Sequence, residues 1–216
     1  MPVNPKTFFD ELSSKGISFF TGVPDSLLKQ LCLCIDDNVA KERHVITANE
    51  GNAIALAAGY HLASGKLPLV YMQNSGIGNA INPLLSLCDP DVYSIPILLL
   101  IGWRGEPGVK DEPQHIKQGK VQLDLLRALD IPYKIISKDD CEVEKKISKS
   151  IKIAIKENRP VAILVKKRTF DTYKPSTQII NTKLMTRENS LEIIVNNLPE
   201  NSIVVSTTGY TSREIF

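Results

Sequence analysis

The chain has 216 residues, of which 43% are hydrophobic and 23% charged, and its formal net charge is +2. This composition excludes a disordered or low-complexity chain, and the near-neutral charge argues against nucleic acid as the partner. The longest apolar stretch, residues 95–101, is far shorter than the roughly 20 residues that cross a bilayer. The N-terminus resembles no secretory signal. We therefore expect a cytoplasmic protein without a membrane partner.

Helices and strands alternate along the chain. The predicted strands cover residues 17–21, 44–47, 67–73, 95–101, 132–137 and 160–165. The predicted helices cover residues 5–15, 27–35, 50–64, 77–87, 115–129 and 143–154. Repeated strand–helix–strand units favour a parallel sheet with right-handed connections. The fold class is therefore α/β, with a three-layer α/β/α arrangement.

This alternation lapses after Arg168. Residues 169–185 are polar and contain Pro175, which is typical of an interdomain linker. A helix (187–197), a strand (202–206) and a helix start (211–216) are predicted beyond it. We therefore expect one domain in residues 1–168, a linker in 169–185, and in 186–216 the beginning of a truncated second α/β domain.

Four polar segments follow predicted strands, at residues 22–26, 48–52, 73–79 and 102–115. In an open parallel sheet, ligands bind at the carboxyl ends of the strands, so these segments are candidates for a site. The positions of these residues also allow purely structural roles. Glu50 would be favourable at a helix start, and Asp25 would be favourable as a helix cap. His115 also begins a predicted helix, whereas His44 and His61 have no companion residues and are expected to be structural.

Several kinds of site lack support. No G-x-G-x-x-G segment follows a strand and no P-loop motif occurs, so dinucleotide and P-loop sites are not favoured. The chain has four scattered cysteines, which we interpret as buried thiols and not as metal ligands. We therefore expect no metal site on this chain. The cysteines are Cys32, Cys34, Cys88 and Cys141.

The polar segments taken together indicate a particular family, which no single residue does. The stretches 21–26, 48–53 and 71–76 resemble the pyrimidine-binding domain of thiamine-diphosphate-dependent decarboxylases. The stretches 101–108 and 111–115 narrow the resemblance to the phosphonopyruvate decarboxylases, with the sulfopyruvate decarboxylase α subunits as close relatives. The resemblance covers essentially the whole chain. It implies that residues 1–168 bind the pyrimidine and that 186–216 open a diphosphate-binding domain.

The resemblance also implies roles for single residues. Glu50 would hydrogen-bond N1′ of the aminopyrimidine and share a proton with it, while the cofactor accepts the electrons released with CO₂. Asp25 and His115 would face the reacting carbon and transfer protons. The cofactor would further be lined by Pro24, Asn74, Ser75 and Gly76.

The substrate would be a small 2-oxo acid, 3-phosphonopyruvate, whose binding residues would be Asp25, Ser26, Arg104 and Lys110. Arg104 ranks first because its planar fork suits a phosphonate. Solvation at the surface explains the lysines of this region equally well. The family pattern often has a second histidine where Lys110 stands, which argues against a paired-histidine mechanism.

The implied enzyme is a carboxy-lyase that forms phosphonoacetaldehyde in phosphonate biosynthesis. Its cofactors are thiamine diphosphate and Mg²⁺, the latter held by the second domain, and it would be a homo-oligomer with sites between subunits. This fragment alone would be inactive. Two alternatives remain: a sulfopyruvate decarboxylase α-type chain that needs a separate β chain, and a non-catalytic assembly module.

Overall fold

The computed structural model describes residues 1–176, 184–207 and 210–215. Within the first of these ranges, six parallel strands form a sheet. They are β1 (Phe20–Gly22), β2 (His44–Ile46), β3 (Leu69–Gln73), β4 (Leu98–Gly102), β5 (Tyr133–Ile136) and β6 (Val161–Val165). Their spatial order is β2-β1-β3-β4-β6-β5. The predicted parallel α/β fold is therefore confirmed.

The helices connect these strands. They are α1 (Pro5–Ser14), α2 (Lys29–Asn38), α3 (Glu50–Ser64), α4 (Ile77–Pro83), α5 (Pro113–Ala128), α6 (Val143–Glu157), α7 (Arg187–Asn196) and α8 (Tyr210–Ile215). A π-helical turn, Leu84–Cys88, continues α4. None of the helices in the described ranges combines the length and the apolar character needed to span a bilayer.

The sheet has a hydrophobic core on each face. Leu69 and Tyr71 of β3 pack on the side of α1, α2 and α6, whereas Val70 and Met72 pack on the side of α3 and α4. Successive side chains of a strand point to opposite faces, so a strand covered on both faces is apolar throughout. The result is the predicted three-layer arrangement.

The strands β1 and β4 begin three residues later than predicted, each for a local reason. The Ile17 N–H donates to the Leu12 carbonyl and so terminates α1, and β1 begins only at Phe20. The apolar run that starts at Ile95 contains Pro96, which has no N–H for a ladder. Accordingly, β4 begins at Leu98, whose N–H donates to the Pro68 carbonyl.

The chain divides into two compact units, residues 1–176 and 177–216. The predicted linker, 169–185, therefore starts in a segment that packs within the first unit. The Phe170 ring contacts the Phe8 ring edge-on at 5.1 Å between centroids, and the Tyr173 hydroxyl donates to Asp37 at 2.8 Å. Burial of Phe170 explains why the first unit extends past the predicted boundary at 168. Residues 177–183 of the linker lie outside the described ranges.

In the second unit, α7 and α8 contact each other, and the Arg187 Nε donates to Glu214 at 2.6 Å. The strand predicted for residues 202–206 is wrong, because residues 202–207 pair with no strand among the described residues. Ile203 and Val205 are each 90% exposed. A β-strand needs a neighbour for its backbone groups, and the described part of this unit supplies none.

Candidate functional site

Glu50 is the first residue of α3, immediately after the β2 segment. Asn49 caps this helix, and its side-chain oxygen accepts from the Asn52 N–H at 2.9 Å. The Glu50 side chain is buried, at 9% exposure, and its Oε2 accepts from the Asn79 Nδ2 at 2.7 Å. A buried carboxylate with one directional partner has a defined position. Glu50 is therefore more than a solvated helix-start acid.

Gly76 forms the wall opposite this carboxylate. It closes a short 3₁₀ turn, Asn74–Gly76, that follows β3. A Cβ built on Gly76 would overlap the Oε1, Cδ and Cγ atoms of Glu50. A Cβ on Gly51 would likewise lie 2.8 Å from the Asn79 carbonyl oxygen. These close approaches leave the Glu50 carboxylate between the starts of α3 and α4, in a cradle that a larger side chain would fill.

Asp25 lies in the loop after β1 and is 5% exposed. Its Oδ2 accepts from the Leu27 N–H at 2.8 Å, while its Oδ1 is buried without a hydrogen-bond partner among the described residues. A Cβ on Gly102, at the end of β4, would overlap the carboxylate. Burial raises the pKa of Asp25, although the Leu27 N–H and the charge of Arg104 oppose the shift. A carboxyl of this kind can hold a proton at a higher pH than an exposed one.

His115 is in the first turn of α5 and is half-buried. Its Nδ1 lies 3.5 Å from the Gln73 Nε2, and the same amide donates to the Ser75 Oγ at 2.6 Å. Gln73 thus links two predicted site residues, a role that the sequence did not indicate. Its place at the end of β3 was the available signal, since polar side chains there face the ligand edge of the sheet.

Asn74 is hydrogen-bonded to the loop that follows β4. Its Nδ2 donates to the Arg104 carbonyl at 2.9 Å, and its Oδ1 accepts from the Arg104 N–H at 3.0 Å. Both ends of the amide are therefore bonded to one backbone unit of the neighbouring loop. Asn74 is buried, at 1% exposure, and it holds this loop against the end of β3, while its contact with the cofactor stays a prediction.

Arg104 is likewise already paired. Its Nε and Nη2 bind the Asp111 carboxylate, at 2.9 Å for Nε to Oδ2 and 2.5 Å for Nη2 to Oδ1. Its Nη1 donates to the Ser26 hydroxyl at 2.9 Å. The bond from Arg104 strongly lowers the pKa of Asp111, and the Gly105 N–H assists. Arg104 was predicted to bind a phosphonate through its guanidinium group. In the structure, a carboxylate of the same loop, that of Asp111, already occupies this group.

The two remaining predicted site residues, Pro24 and Lys110, line different cavities. Pro24 is exposed and lines a cavity together with Asp25 and Ser26. Lys110 lines another hollow, formed by the loop after β4 and by α5. The structure thus joins Asp25, Ser26 and Arg104 in one set of contacts and leaves Lys110 in a separate hollow.

The expectation that His44 has no companion residues is wrong, whereas its expected structural role stays a prediction. Its Nδ1 lies 2.8 Å from the Asp36 Oδ1, and its Nε2 lies 2.8 Å from the Tyr71 hydroxyl. Burial lowers the pKa of His44, against the opposing charge of Asp36. Burial also raises the pKa of Tyr71. Asp36, His44 and Tyr71 come from α2, β2 and β3, so only the assembled sheet brings them together.

The described residues were also compared with the requirements of a metal ion and of the cofactor. Among the described residues, no group of three or more His, Cys, Asp or Glu side chains could hold a metal ion. Cys141 is exposed, contrary to its interpretation as a buried thiol. The chemistry at Glu50 fits an aminopyrimidine, because a buried carboxylate whose Oε2 accepts from Asn79 can offer its Oε1 to a ring nitrogen.

Comparison with known proteins identifies the family. Residues 6–126 match the family described as thiamine pyrophosphate enzyme, N-terminal TPP binding domain. The chain is 33% identical over 220 residues to the phosphonopyruvate decarboxylase of Streptomyces viridochromogenes, a match that covers 95% of this chain and 54% of that protein. It is 33% identical over 154 residues to the sulfopyruvate decarboxylase subunit alpha of Methanothermobacter thermautotrophicus, covering 71% of this chain and 90% of that protein.

A solved structure has the same fold. The thiamine diphosphate-dependent 4-hydroxybenzoylformate decarboxylase of Rhodococcus jostii superposes with a TM-score of 0.58 at 19% identity, over 90% of this chain and 37% of that one. The chain spans about half the length of the phosphonopyruvate decarboxylases that it matches. From the family match and the relatives together, the chain belongs to the thiamine pyrophosphate enzymes, in the group that includes phosphonopyruvate decarboxylase and the sulfopyruvate decarboxylase α subunit.

Proposed function

We propose that the protein to which this chain belongs decarboxylates 3-phosphonopyruvate to phosphonoacetaldehyde and CO₂, with thiamine diphosphate and Mg²⁺. The observation that carries the proposal is the buried Glu50 carboxylate, held by Asn79 and facing Gly76. That arrangement suits a proton shared with a ring nitrogen. Phosphonate biosynthesis is the corresponding metabolic role.

Glu50 and Gly76 would hold the aminopyrimidine ring. The Glu50 Oε2 is bonded to Asn79, so Oε1 is the atom that would share a proton with N1′. Gly76 contributes by letting the Glu50 side chain pack directly against its backbone, since a Cβ there would overlap the carboxylate. When bound, thiamine diphosphate supplies the electron sink for loss of CO₂.

Asp25 and His115 would handle the remaining proton. Conversion of a 2-oxo acid to an aldehyde and CO₂ consumes one proton, which must be delivered to the carbon that loses the carboxylate. Asp25 is buried and its pKa is raised by that burial, so it is suited to hold and donate a proton. His115 is close enough to influence the charge of Asp25, and Gln73 orients its ring.

The extent of the similarity favours phosphonopyruvate over sulfopyruvate as the substrate. The match to the Streptomyces viridochromogenes enzyme covers 95% of the chain, whereas the match to the α subunit covers 71%. An organisation in which one polypeptide carries both cofactor-binding domains accounts for the additional residues. In that organisation, residues 186–216 open the diphosphate-binding domain, which holds Mg²⁺, and the active sites form between subunits of a homo-oligomer.

A second candidate is a sulfopyruvate decarboxylase α-type chain that works with a separate β chain. The 90% coverage of the Methanothermobacter thermautotrophicus α subunit favours it. A non-catalytic assembly module is the less favoured alternative, because Glu50, Asp25 and His115 are all present. The buried position of Glu50 also argues against this last alternative.

The deciding experiment measures CO₂ release by the full-length protein with thiamine diphosphate and Mg²⁺. Phosphonopyruvate, sulfopyruvate and pyruvate are compared as substrates, with and without added β chain. We expect the highest kcat/KM with phosphonopyruvate and no need for a β chain. Preference for sulfopyruvate, or dependence on a β chain, would support the second candidate, and no turnover of any 2-oxo acid would refute both.

A further inference from the structure

A phosphonopyruvate decarboxylase must bind the distal anionic group of its substrate. The inference about which residue binds that group rests on the proposed function. Burying a phosphonate requires cations or hydrogen-bond donors. Arg104 is poorly placed to serve, because its Nε and Nη2 bind Asp111 and its Nη1 donates to Ser26. Another cation is therefore needed near the reacting carbon.

Lys110 and Lys120 do not meet that condition. They line a hollow of about 590 Å³ under the loop that follows β4, together with apolar side chains such as Ile116. Neither Asp25 nor His115 contributes to the lining of this hollow. An anion bound there would lie away from the groups that handle the proton.

A second cavity lies directly beside Asp25. It has a volume of about 340 Å³ and is lined by Asp25 and Ser26 on one side and by Lys29, at the start of α2, on another. Its far wall includes His44 and Tyr71. The volume is at the small end of the range for ligand pockets, about 300–1,000 Å³. The cavity therefore suits a small metabolite.

The charges around this cavity favour an anion at Lys29. Lys29 is exposed, and among the described residues its ammonium forms no ion pair, so it is available to a ligand. Of the two carboxylates that line the cavity, Asp36 is bonded to His44 at 2.8 Å and is 59% exposed, so solvent screens its charge. The other, Asp25, is buried with one oxygen unpartnered, and burial favours its protonated form. A protonated Asp25 would donate to an anion instead of repelling it.

We propose that Lys29 binds the distal anion of the substrate, in the cavity shared with Asp25 and Ser26, and so determines the preference for a phosphonate- or sulfonate-bearing 2-oxo acid. The His44–Tyr71 wall is held by hydrogen bonds at both ring nitrogens of His44. This wall is therefore rigid, and Leu33 and Ile46 supply apolar contacts for the short carbon chain. The sequence carries no local signal for Lys29 as an anion ligand, because this residue begins α2 and lies outside the loop after β4.

The first test measures binding and needs no turnover. Phosphonoacetate, an unreactive molecule with the same distal group, is titrated calorimetrically into the chain described here and into the full-length protein. Lys29→Gln should weaken binding about 10- to 100-fold, the factor expected from losing one hydrogen bond to a charged group. The matched control is Lys156→Gln, an exposed lysine in the last turn of α6, which should bind like the wild type.

The second test measures specificity in the full-length protein. Lys29→Gln should raise KM for phosphonopyruvate by a similar factor and leave kcat/KM for pyruvate, which lacks the distal anion, within about twofold. Lys29→Arg should recover part of the loss because it restores the charge. Equal binding and kinetics for Lys29→Gln and wild type, or a loss confined to Lys110→Gln, would overturn the assignment.

The two proposals can fail separately. Absence of turnover with every 2-oxo acid would refute the decarboxylase function, while Lys29-dependent binding of phosphonoacetate would still support the anion site. Conversely, efficient decarboxylation of phosphonopyruvate by Lys29→Gln would refute the anion site and leave the function intact.

Discussion

The Asn79 amide donates to the Glu50 carboxylate at 2.7 Å, and this bond joins the start of α4 to the start of α3. Because both helices begin at the carboxyl edge of the sheet, the bond fixes the acid at the edge where open parallel sheets bind their ligands. The position of Glu50 is therefore set by a side chain that is distant in the sequence. This bond and other contacts of the first unit lead to five predictions.

Replacement of Glu50 by Gln should remove the shared proton while keeping the side chain's shape. We expect kcat of the full-length protein to fall by about 10²–10⁴-fold, the usual contribution of a positioned acid or base, with little change in thermal stability. Steady-state CO₂ release and circular dichroism check the two parts. Glu144→Gln, on the exposed side of α6, is the control, and wild-type turnover by Glu50→Gln would contradict the assignment.

Replacement of Gly76 by Ala should force the new methyl group into the Glu50 carboxylate. Overpacking of this kind costs about 1–3 kcal/mol, and urea unfolding measures it. Gly78→Ala is the matched control, since nothing lies within 4 Å of a Cβ there. Alanine in that helix should raise stability by up to about 1 kcal/mol. Equal stability of the two variants would show that the cradle is looser than described.

Asp111→Asn should loosen the loop that follows β4, because Arg104 loses a charged partner. The expected loss of stability is about 1.5–3 kcal/mol, typical of hydrogen bonds to a charged group. Asp10→Asn, which removes an exposed pair with Lys6, should cost at most about 1 kcal/mol. Similar losses in both variants would argue against a special role for the Arg104–Asp111 pair.

The same pair predicts a pH dependence. The pKa of Asp111 is lower in the folded chain than its ordinary value, so the unfolded chain takes up the proton first on acidification. The stability from this group is complete above the unfolded-state pKa, about 3.9. It is lost progressively as the pH falls below that value towards the folded-state pKa. Urea titrations between pH 6 and pH 3 should therefore show a shallower decline for Asp111→Asn than for the wild type.

His44 should titrate below its ordinary pKa of 6.5, because burial disfavours its charged form. Asp36→Asn should lower the pKa further, since the Asp36 charge and hydrogen bond oppose that shift. NMR titration of the chain's three histidines resolves this. The contribution of His44 to stability is complete above about pH 6.5 and is lost as the pH falls towards its folded-state pKa. A midpoint at or above 6.5 would contradict the buried arrangement.

The sheet could be predicted well because each strand is marked locally. The run at residues 98–102 is apolar throughout and is covered on both faces, as a central parallel strand requires. The failure at 202–206 has the complementary reason: Val204 and Val205 favour a strand, but the described residues offer no neighbouring strand. Local propensity predicts a strand correctly only when the surrounding structure supplies a hydrogen-bonding partner for it.

For the site, the residue pattern located Glu50, Asp25 and His115 at the carboxyl edge of the sheet, since a strand followed by a polar loop and a helix is readable from local order. The tertiary structure decided which groups these side chains contact. It paired Arg104 with Asp111, bonded the Asn74 amide to the Arg104 backbone, and joined His44 of β2 to Tyr71 of β3, two strands that β1 separates. Such contacts depend on distances between segments far apart in the chain, and no local pattern encodes those distances.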